Sequence, residues 1–321
     1  MKPAVKRKIA VLTCLGLTVI YSVYVLLDTF LLSSVQKSAQ EDNLTVFANL
    51  SADIITDEDT SSDTSDMTTL SSEDTEDYVY SDDHVKISLT QYREYDTDIY
   101  VADVWLSSAE YLKTALAQGS YGKNITQKTS EMAEDNNAIL AINGDYYGAR
   151  ESGYVIRNGV IYRDYGNEDT DILCIYADGH FSITNSAEKT TEELIEEGVW
   201  QAFSFGPGLI EEGEITVSPG EEVGKAKSSN PRTAVGQIEE ASGSLHYVFV
   251  VSDGRTDESA GLSLSQLAEF LQSLGVTTAY NLDGGGSSTM VLLGEIINNP
   301  TTSGKGSKER SVSDIVYITA G

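Results

Sequence analysis

Residues 277–294 read TTAYNLDGGGSSTMVLLG: an apolar segment, then a carboxylate, three glycines, two serines and a threonine, then a second apolar segment. The flanks are short and aromatic or aliphatic, bounded by turn residues, and both are predicted strands. Glycine inside regular structure costs roughly 0.5–1 kcal/mol relative to alanine. Three in a row therefore mark backbone that bends sharply or lies close to another group. A strand that delivers a carboxylate onto such a loop belongs in a sheet whose edge carries a site.

Working outward, SLSQLAEFLQSLG (263–275) places Leu264, Leu267, Ala268, Leu271 and Leu274 at steps of three and four, with Ser263 and Gln266 at capping-box spacing and Gly275 as the stop. This is an amphipathic helix whose leucines are core. SSAEYLKTALAQG (107–119) also predicts a helix, opened by Ser107 with Glu110 three residues on and closed by Gly119. Strand-like runs are AILAING, SGYVIRNGVIYR, DILCIYADGHFSIT, SLHYVFVVSDG, STMVLLG and SDIVYITAG. Turns at Asn158-Gly159 and Asp178-Gly179 make two of them hairpins. The fold class is α/β (mixed α+β), with mixed β-sheets flanked by helices in a single globular domain over residues 84–321.

What precedes the domain has a different composition. Residues 1–8 form a basic tail with Lys2, Lys6, Arg7 and Lys8, and residues 9–27 carry no charge. That run spans most of a hydrocarbon core of about 30 Å, so residues 9–32 are expected to be a single-pass transmembrane anchor. The N-terminus would be cytoplasmic and the domain extracellular; a cleaved signal peptide is the alternative. Between residues 38 and 83 there are 14 Asp or Glu and no Lys or Arg. Residues 33–83 are therefore expected to be a disordered acidic Ser/Thr-rich linker. With the linker and the basic start set aside, the domain carries −19 of the net −29, which excludes nonspecific nucleic-acid binding. The two cysteines, Cys14 and Cys174, lie in different segments and predict no disulfide. The oligomeric state is left open.

Three predicted strands end alike: AILAI runs into Asn143-Gly144-Asp145, YVFVV into Ser252-Asp253-Gly254-Arg255, and TAYNL into Asp283-Gly284-Gly285-Gly286. If the sheet holds parallel strands, their carboxyl ends converge on one rim. Asp283, Asp253 and Asp145 are the candidate catalytic carboxylates. Glycine N–H groups can cradle an anion, so Gly284, Gly285 and Gly286 with Ser287 and Ser288 are candidate substrate ligands. Arg157, Arg232, Arg255 and Arg310 are the candidate cations for a phosphate, whereas Arg150 and Arg163 are expected in surface salt bridges. There is no Rossmann or Walker loop and no hydrolase elbow. His84, His180 and His246 sit in no triad context, and zinc lacks Cys or His pairs. Two rivals stay open: a metal-dependent phosphodiesterase with Asp145, Asp253 and Asp283 on Mg²⁺ or Ca²⁺, and a noncatalytic polysaccharide-binding surface built from the 18 tyrosines.

In order along the chain, AINGDYYGARESGYVIRNGVIYRD, FSFGPGLIEEGE, NPRTAVGQ, YVFVVSDGR, GLSLSQLAEFLQSLGVTTAYNLDGGGSSTMVLLGEIINNP and KERSVSDIVYI resemble the phosphodiester glycosidase family. That is the family of the mannose-6-phosphate uncovering enzyme and of bacterial proteins linked with exopolysaccharides. The resemblance spans about residues 95–321. It implies hydrolysis of a sugar-1-phosphodiester, releasing the sugar and leaving a phosphate monoester, and does not identify the sugar. A cell-surface, exopolysaccharide or teichoic-type substrate is expected, and no cofactor, with a divalent cation such as Ca²⁺ or Mg²⁺ as the alternative. The resemblance supports Asn143, Asp253, Arg255, Asn281 and Asp283 as site residues, and Thr233 beside Arg232 in the PRTAVGQ motif. Asp145 stands where the family's motif commonly has Gly or Ala, so its role is not implied.

Overall fold

The structure is a computed structural model that describes Thr13 and residues 16–25, 34–38, 79–166, 170–223 and 229–321. The tail expected at 1–8, most of the linker and part of the anchor lie outside the described residues. Residues 16–25 are helical and exposed, and among the described residues no helix is long and apolar enough to cross a membrane. Within the stretch read as linker, Ser34–Ser38 forms a strand antiparallel to Ser120–Lys123.

Besides that two-stranded pairing, three larger sheets among the described residues build the domain. The largest has eight strands, in the order Glu214–Ile215, Gly208–Glu211, Thr278–Asn281, Arg232–Glu239, Leu245–Ser252, Thr97–Leu106, Val85–Glu94 and Tyr80–Ser81. A five-stranded sheet runs Glu295–Ile296, Met290–Leu292, Leu140–Asn143, Asp314–Ile318, Leu112–Leu116. A second five-stranded sheet runs Phe181–Asn185, Asp171–Tyr176, Val199–Phe203, Val155–Arg157, Val160–Arg163. The predicted turns at Asn158-Gly159 and Asp178-Gly179 close hairpins in this last sheet.

Side-chain alternation distributes each strand between two cores. Tyr247, Phe249 and Val251 enter a central core with Ala102, Val104, Leu140, Ile142, Leu173, Ile175 and Val316, so all three sheets contribute to it. The intervening Val248 and Val250 face the helix Leu264–Ser273, packing with Leu267, Ala268 and Leu271. Ala141 and Ile315 likewise lie under the helix Thr129–Asp135 through Met132 and Ala133. Ile172 and Cys174 pack against Leu194 of Thr191–Glu196. Strands covered on both faces explain apolar runs such as LHYVFVV, which do not alternate with polar residues. Ser263 caps its helix with a complete capping box to Gln266, as its spacing predicts.

Two expectations are corrected. Residues 107–119 are not a helix: a 3₁₀ turn at Ala109–Tyr111, capped by Ser108 and not Ser107, leads into the strand Leu112–Leu116. Leu112, Thr114 and Leu116 are buried while Lys113 and Ala115 are less so. Pairing with Asp314–Ile318 overrides the segment's helical propensity. The sheets also contain no parallel pair among the described residues; every strand pairing is antiparallel. The rim instead alternates strand ends and starts. Ala234 lies opposite Asn281, Arg232 opposite Ser252 and Ile315 opposite Asn143, so the starts of 232–239 and 314–318 meet the ends of 278–281, 245–252 and 140–143 on one edge.

Candidate active site

Where the eight-stranded sheet meets the first five-stranded sheet, Asn143 joins them. Its Oδ1 accepts hydrogen bonds from Thr233 Oγ1 (2.8 Å) and the Thr289 N–H (3.2 Å), and its Nδ2 donates to the Asp283 carbonyl (2.5 Å). The Asp283 N–H donates to the Gly144 carbonyl at 3.2 Å. Asn143 and Thr233 are fully buried, so they hold the backbone that presents Asp283 and do not reach a ligand themselves.

Asp283 lines a cleft of about 560 Å³ with Tyr146, Arg150, Phe205, Asn230, Arg232, Arg255, Gly284, Gly285 and Arg310. Its Oδ2 accepts from Ser287 Oγ at 2.5 Å and from Arg310 Nη2 at 2.9 Å; Arg310 also donates to Ser287 Oγ. Oδ1 accepts no hydrogen bond among the described residues, so one oxygen is anchored and the other is available. Burial raises the Asp283 pKa above its ordinary value, against the opposing pull of Arg310 and Ser287.

The cleft is cationic inside an acidic domain. Arg255 is held by neutral acceptors, with Nη2 donating to Asn230 Oδ1 at 2.9 Å and Nη1 to the Thr302 carbonyl at 2.7 Å. Burial, Arg310 and Arg232 together lower its pKa. Its backbone φ of 65° is left-handed, a conformation that costs a side-chain-bearing residue roughly 1–2 kcal/mol and that concentrates at functional sites. Arg232 is more committed: Nε donates to the Leu262 carbonyl at 2.9 Å and Nη2 pairs with Glu222.

The glycines divide by role. Gly285 has φ +65°, and a Cβ there would stand 2.7 Å from Arg255 Nη2, so its missing side chain lets the guanidinium reach the cleft. At Gly284 a Cβ would meet the Pro231 carbonyl at 2.9 Å. Gly286 is needed for packing against Thr302. Ser288 is fully buried, with Oγ lacking a partner. Asn281 braces the cleft wall by donating from Nδ2 to the Gly206 carbonyl at 2.7 Å.

Asp253 and Asp145 do not line the cleft. Asp253 Oδ1 accepts from the Asn299 N–H (2.8 Å) and Asn298 Nδ2 (3.2 Å), fastening that loop. Asp145 accepts from the N–H groups of Tyr146 (2.6 Å) and Ser204 (2.9 Å). Arg157 is buried as well, paired with Asp314 at 2.8 Å and lying 3.6 Å from Asp145. Its guanidinium also sits 4.0 Å over the Phe203 ring. The buried Asp314 carboxyl, beside Asp145, is pushed up to about 6 in spite of Arg157. This pair of carboxylates around one arginine fixes the loop that carries Tyr146.

Arg150, Tyr146 and Phe205 sit in the motifs AINGDYYGAR and FSFGPG, which assign them no role at the site, yet all three line the cleft. Arg150 Nη1 donates to the carbonyls of Ser204 (3.0 Å) and Phe205 (3.1 Å), and its guanidinium lies 4.6 Å over the Phe205 ring. Among the described residues neither Arg150 nor Arg163 forms the expected surface salt bridge: Arg163 ties the carbonyls of Tyr147, Arg150 and Gly153. Among the described residues no group of three or more His, Cys, Asp or Glu is placed to hold a metal ion, so Asp145, Asp253 and Asp283 do not form the joint cation site of the phosphodiesterase alternative.

The family model for phosphodiester glycosidases matches residues 136–319, which contain every residue of this cleft. The chain is 29% identical over 206 residues to the SPbeta prophage-derived uncharacterized protein YomE of Bacillus subtilis, covering 62% of this chain and 30% of that protein. Over 70 residues it is 46% identical to the mouse N-acetylglucosamine-1-phosphodiester alpha-N-acetylglucosaminidase, 22% of this chain and 13% of the relative. The chain thus spans less than a third of the length of these relatives. The zebrafish enzyme of the same name, a catalytic domain auto-inhibited by its pro-peptide, shares the fold with a TM-score of 0.59 at 21% identity, over 74% of this chain and 83% of that one.

Proposed function

The chain belongs to the phosphodiester glycosidase family, and from that premise we propose that it hydrolyses a sugar-1-phosphodiester, releasing the sugar and leaving a phosphate monoester. The observation that carries this is the juxtaposition of a half-anchored carboxylate, Asp283, with the cations Arg255 and Arg310 and the side-chain-free backbone of Gly284 and Gly285 in one cleft. Cleavage of the glycosidic C–O bond builds positive charge on the sugar and negative charge on the departing oxygen. Asp283 Oδ1 faces the first, as nucleophile or as base for water. Arg255 and Arg310 hold the second, and a phosphate monoester leaves well without a strong general acid. The N-acetylglucosaminidase activity named for the mammalian relatives supports an N-acetylhexosamine as the first sugar to assay. A glycan of the cell envelope is the proposed natural source, supported by the uncharged run at 9–27 behind a basic flank, which would hold the domain outside the membrane.

Two measurements test this. In ¹⁸O-water, label should enter the sugar; label in the phosphate would mean P–O cleavage and would end the glycosidase reading. Asp283→Asn should lose at least about 100-fold in kcat with an unchanged melting temperature, and near wild-type turnover would remove Asp283 from the chemistry.

A further inference from the structure

The cleft does not end at its aromatic wall. Arg150, Phe205 and Val223 also line a second cavity of about 450 Å³, completed by Ser152, Thr170, Asp171, Ser204, Gly206, Pro207 and Glu221. The two compartments differ in charge. Among the described residues, the first is lined by Arg150, Arg232, Arg255 and Arg310 with a single carboxylate, Asp283. The second is lined, among the described residues, by Asp171 and Glu221, with Arg150 in the shared wall as its one cation. In each of those carboxylates one oxygen is committed to the backbone: Asp171 Oδ2 accepts from the Gly208 N–H at 2.9 Å, and Glu221 Oε2 from the Ser218 N–H at 3.0 Å. The other oxygen of each accepts no hydrogen bond among the described residues, and the hydroxyls of Ser152 and Thr170 are likewise uncommitted.

The contacts also order the groups. Arg255 is tied to the Thr302 carbonyl and to Asn230 Oδ1, and its guanidinium lies beside the Cα of Gly285. Arg310 lies 5.9 Å from the Tyr146 ring centroid, and Arg150 with Phe205 closes the side toward the second compartment. The Gly285 N–H donates to the Pro231 carbonyl at 2.8 Å, so the phosphate falls to Arg255; with the anomeric carbon of the attached sugar at Asp283, the sugar ring points away from Arg255. Resting on the glycosidase reading above, we infer that the compartment beyond Arg150 receives the distal side of the glycosyl ring, and that Asp171 and Glu221 select a neutral or amine-bearing sugar over an anionic one. Carboxylate oxygens accept hydrogen bonds from sugar hydroxyls or an ammonium group, whereas a uronate would meet two like charges, the half-buried Asp171 and the exposed Glu221.

The test compares phenyl esters of N-acetylglucosamine 1-phosphate, glucose 1-phosphate and glucuronic acid 1-phosphate, by release of reducing sugar from the full-length chain. Wild type should favour the better neutral ester over the glucuronate by at least about tenfold in kcat/KM. Glu221→Lys should shrink that ratio about tenfold, mainly by lowering KM for the glucuronate. The melting temperature checks that the variant is folded. Equal turnover of neutral and anionic esters by wild type, or an unmoved ratio in Glu221→Lys, overturns the selectivity assignment alone. No release of sugar from any ester would overturn the glycosidase reading and this inference with it.

Discussion

Asp283 and Gly285 show how single positions set the chemistry. An Asp283 carboxyl raised by burial is protonated over a wider acid range than a free aspartate, and only its ionised form serves as nucleophile or base. Activity should therefore fall as pH drops through that raised value. The acid limb of kcat/KM is expected above the roughly 3.9 of an unperturbed aspartate and should vanish from the residual activity of Asp283→Asn. An acid limb at or below the unperturbed value would argue against Asp283 as the titrating group. Gly285→Ala places a methyl against Arg255 Nη2 and fills a left-handed position. It should cost about 1–2 kcal/mol in stability and raise KM about tenfold by displacing a charge-assisted phosphate contact. A KM within twofold of wild type would detach Arg255 from the phosphate.

At the scale of elements, the helix Leu264–Ser273 and the strand Leu112–Leu116 make opposite points. The helix repeats its apolar residues at three and four, carries its own cap and stop, and was readable because local and tertiary preferences agree. Leu267 is fully buried beneath the eight-stranded sheet. Leu267→Ala should destabilise by about 2–5 kcal/mol while kcat per folded molecule stays unchanged, since no residue of this helix lines the cleft; a fall in kcat at full folding would show coupling between the two. The segment at 112–116 has good helix formers, yet its alternate residues enter the core between Asp314–Ile318 and solvent. There a partner strand nearly two hundred residues away decides the conformation, and no local pattern carries that information.

For the whole molecule, the antiparallel register brings strand ends and strand starts to one edge, and this sorts the three Asp-Gly carboxylates. Asp283 lines the cleft, whereas Asp145 accepts backbone N–H groups on both oxygens and Asp253 ties down the loop at Asn298 and Asn299. With no shared cation site among them, EDTA is expected to leave kcat/KM within about twofold, the scatter within which independent effects add. Abolition by EDTA with recovery on Ca²⁺ or Mg²⁺ would restore the metal-dependent alternative. The sequence by itself determined the two hairpins at Asn158-Gly159 and Asp178-Gly179, the capped helix Leu264–Ser273 and the glycine loop beside Asp283, because each depends on residues within about a dozen positions of one another, whereas strands such as Val85–Glu94, Thr97–Leu106 and Arg232–Glu239 carried no such local signal. Only the tertiary structure decided that Arg150, Tyr146 and Phe205 form the cleft wall, that Arg157 is a buried brace, and that one aspartate of the three lines the cleft. Those outcomes depend on which backbone donors reach each side chain once distant strands pair, and a carboxylate that accepts two N–H groups is indistinguishable in sequence from one that faces a substrate.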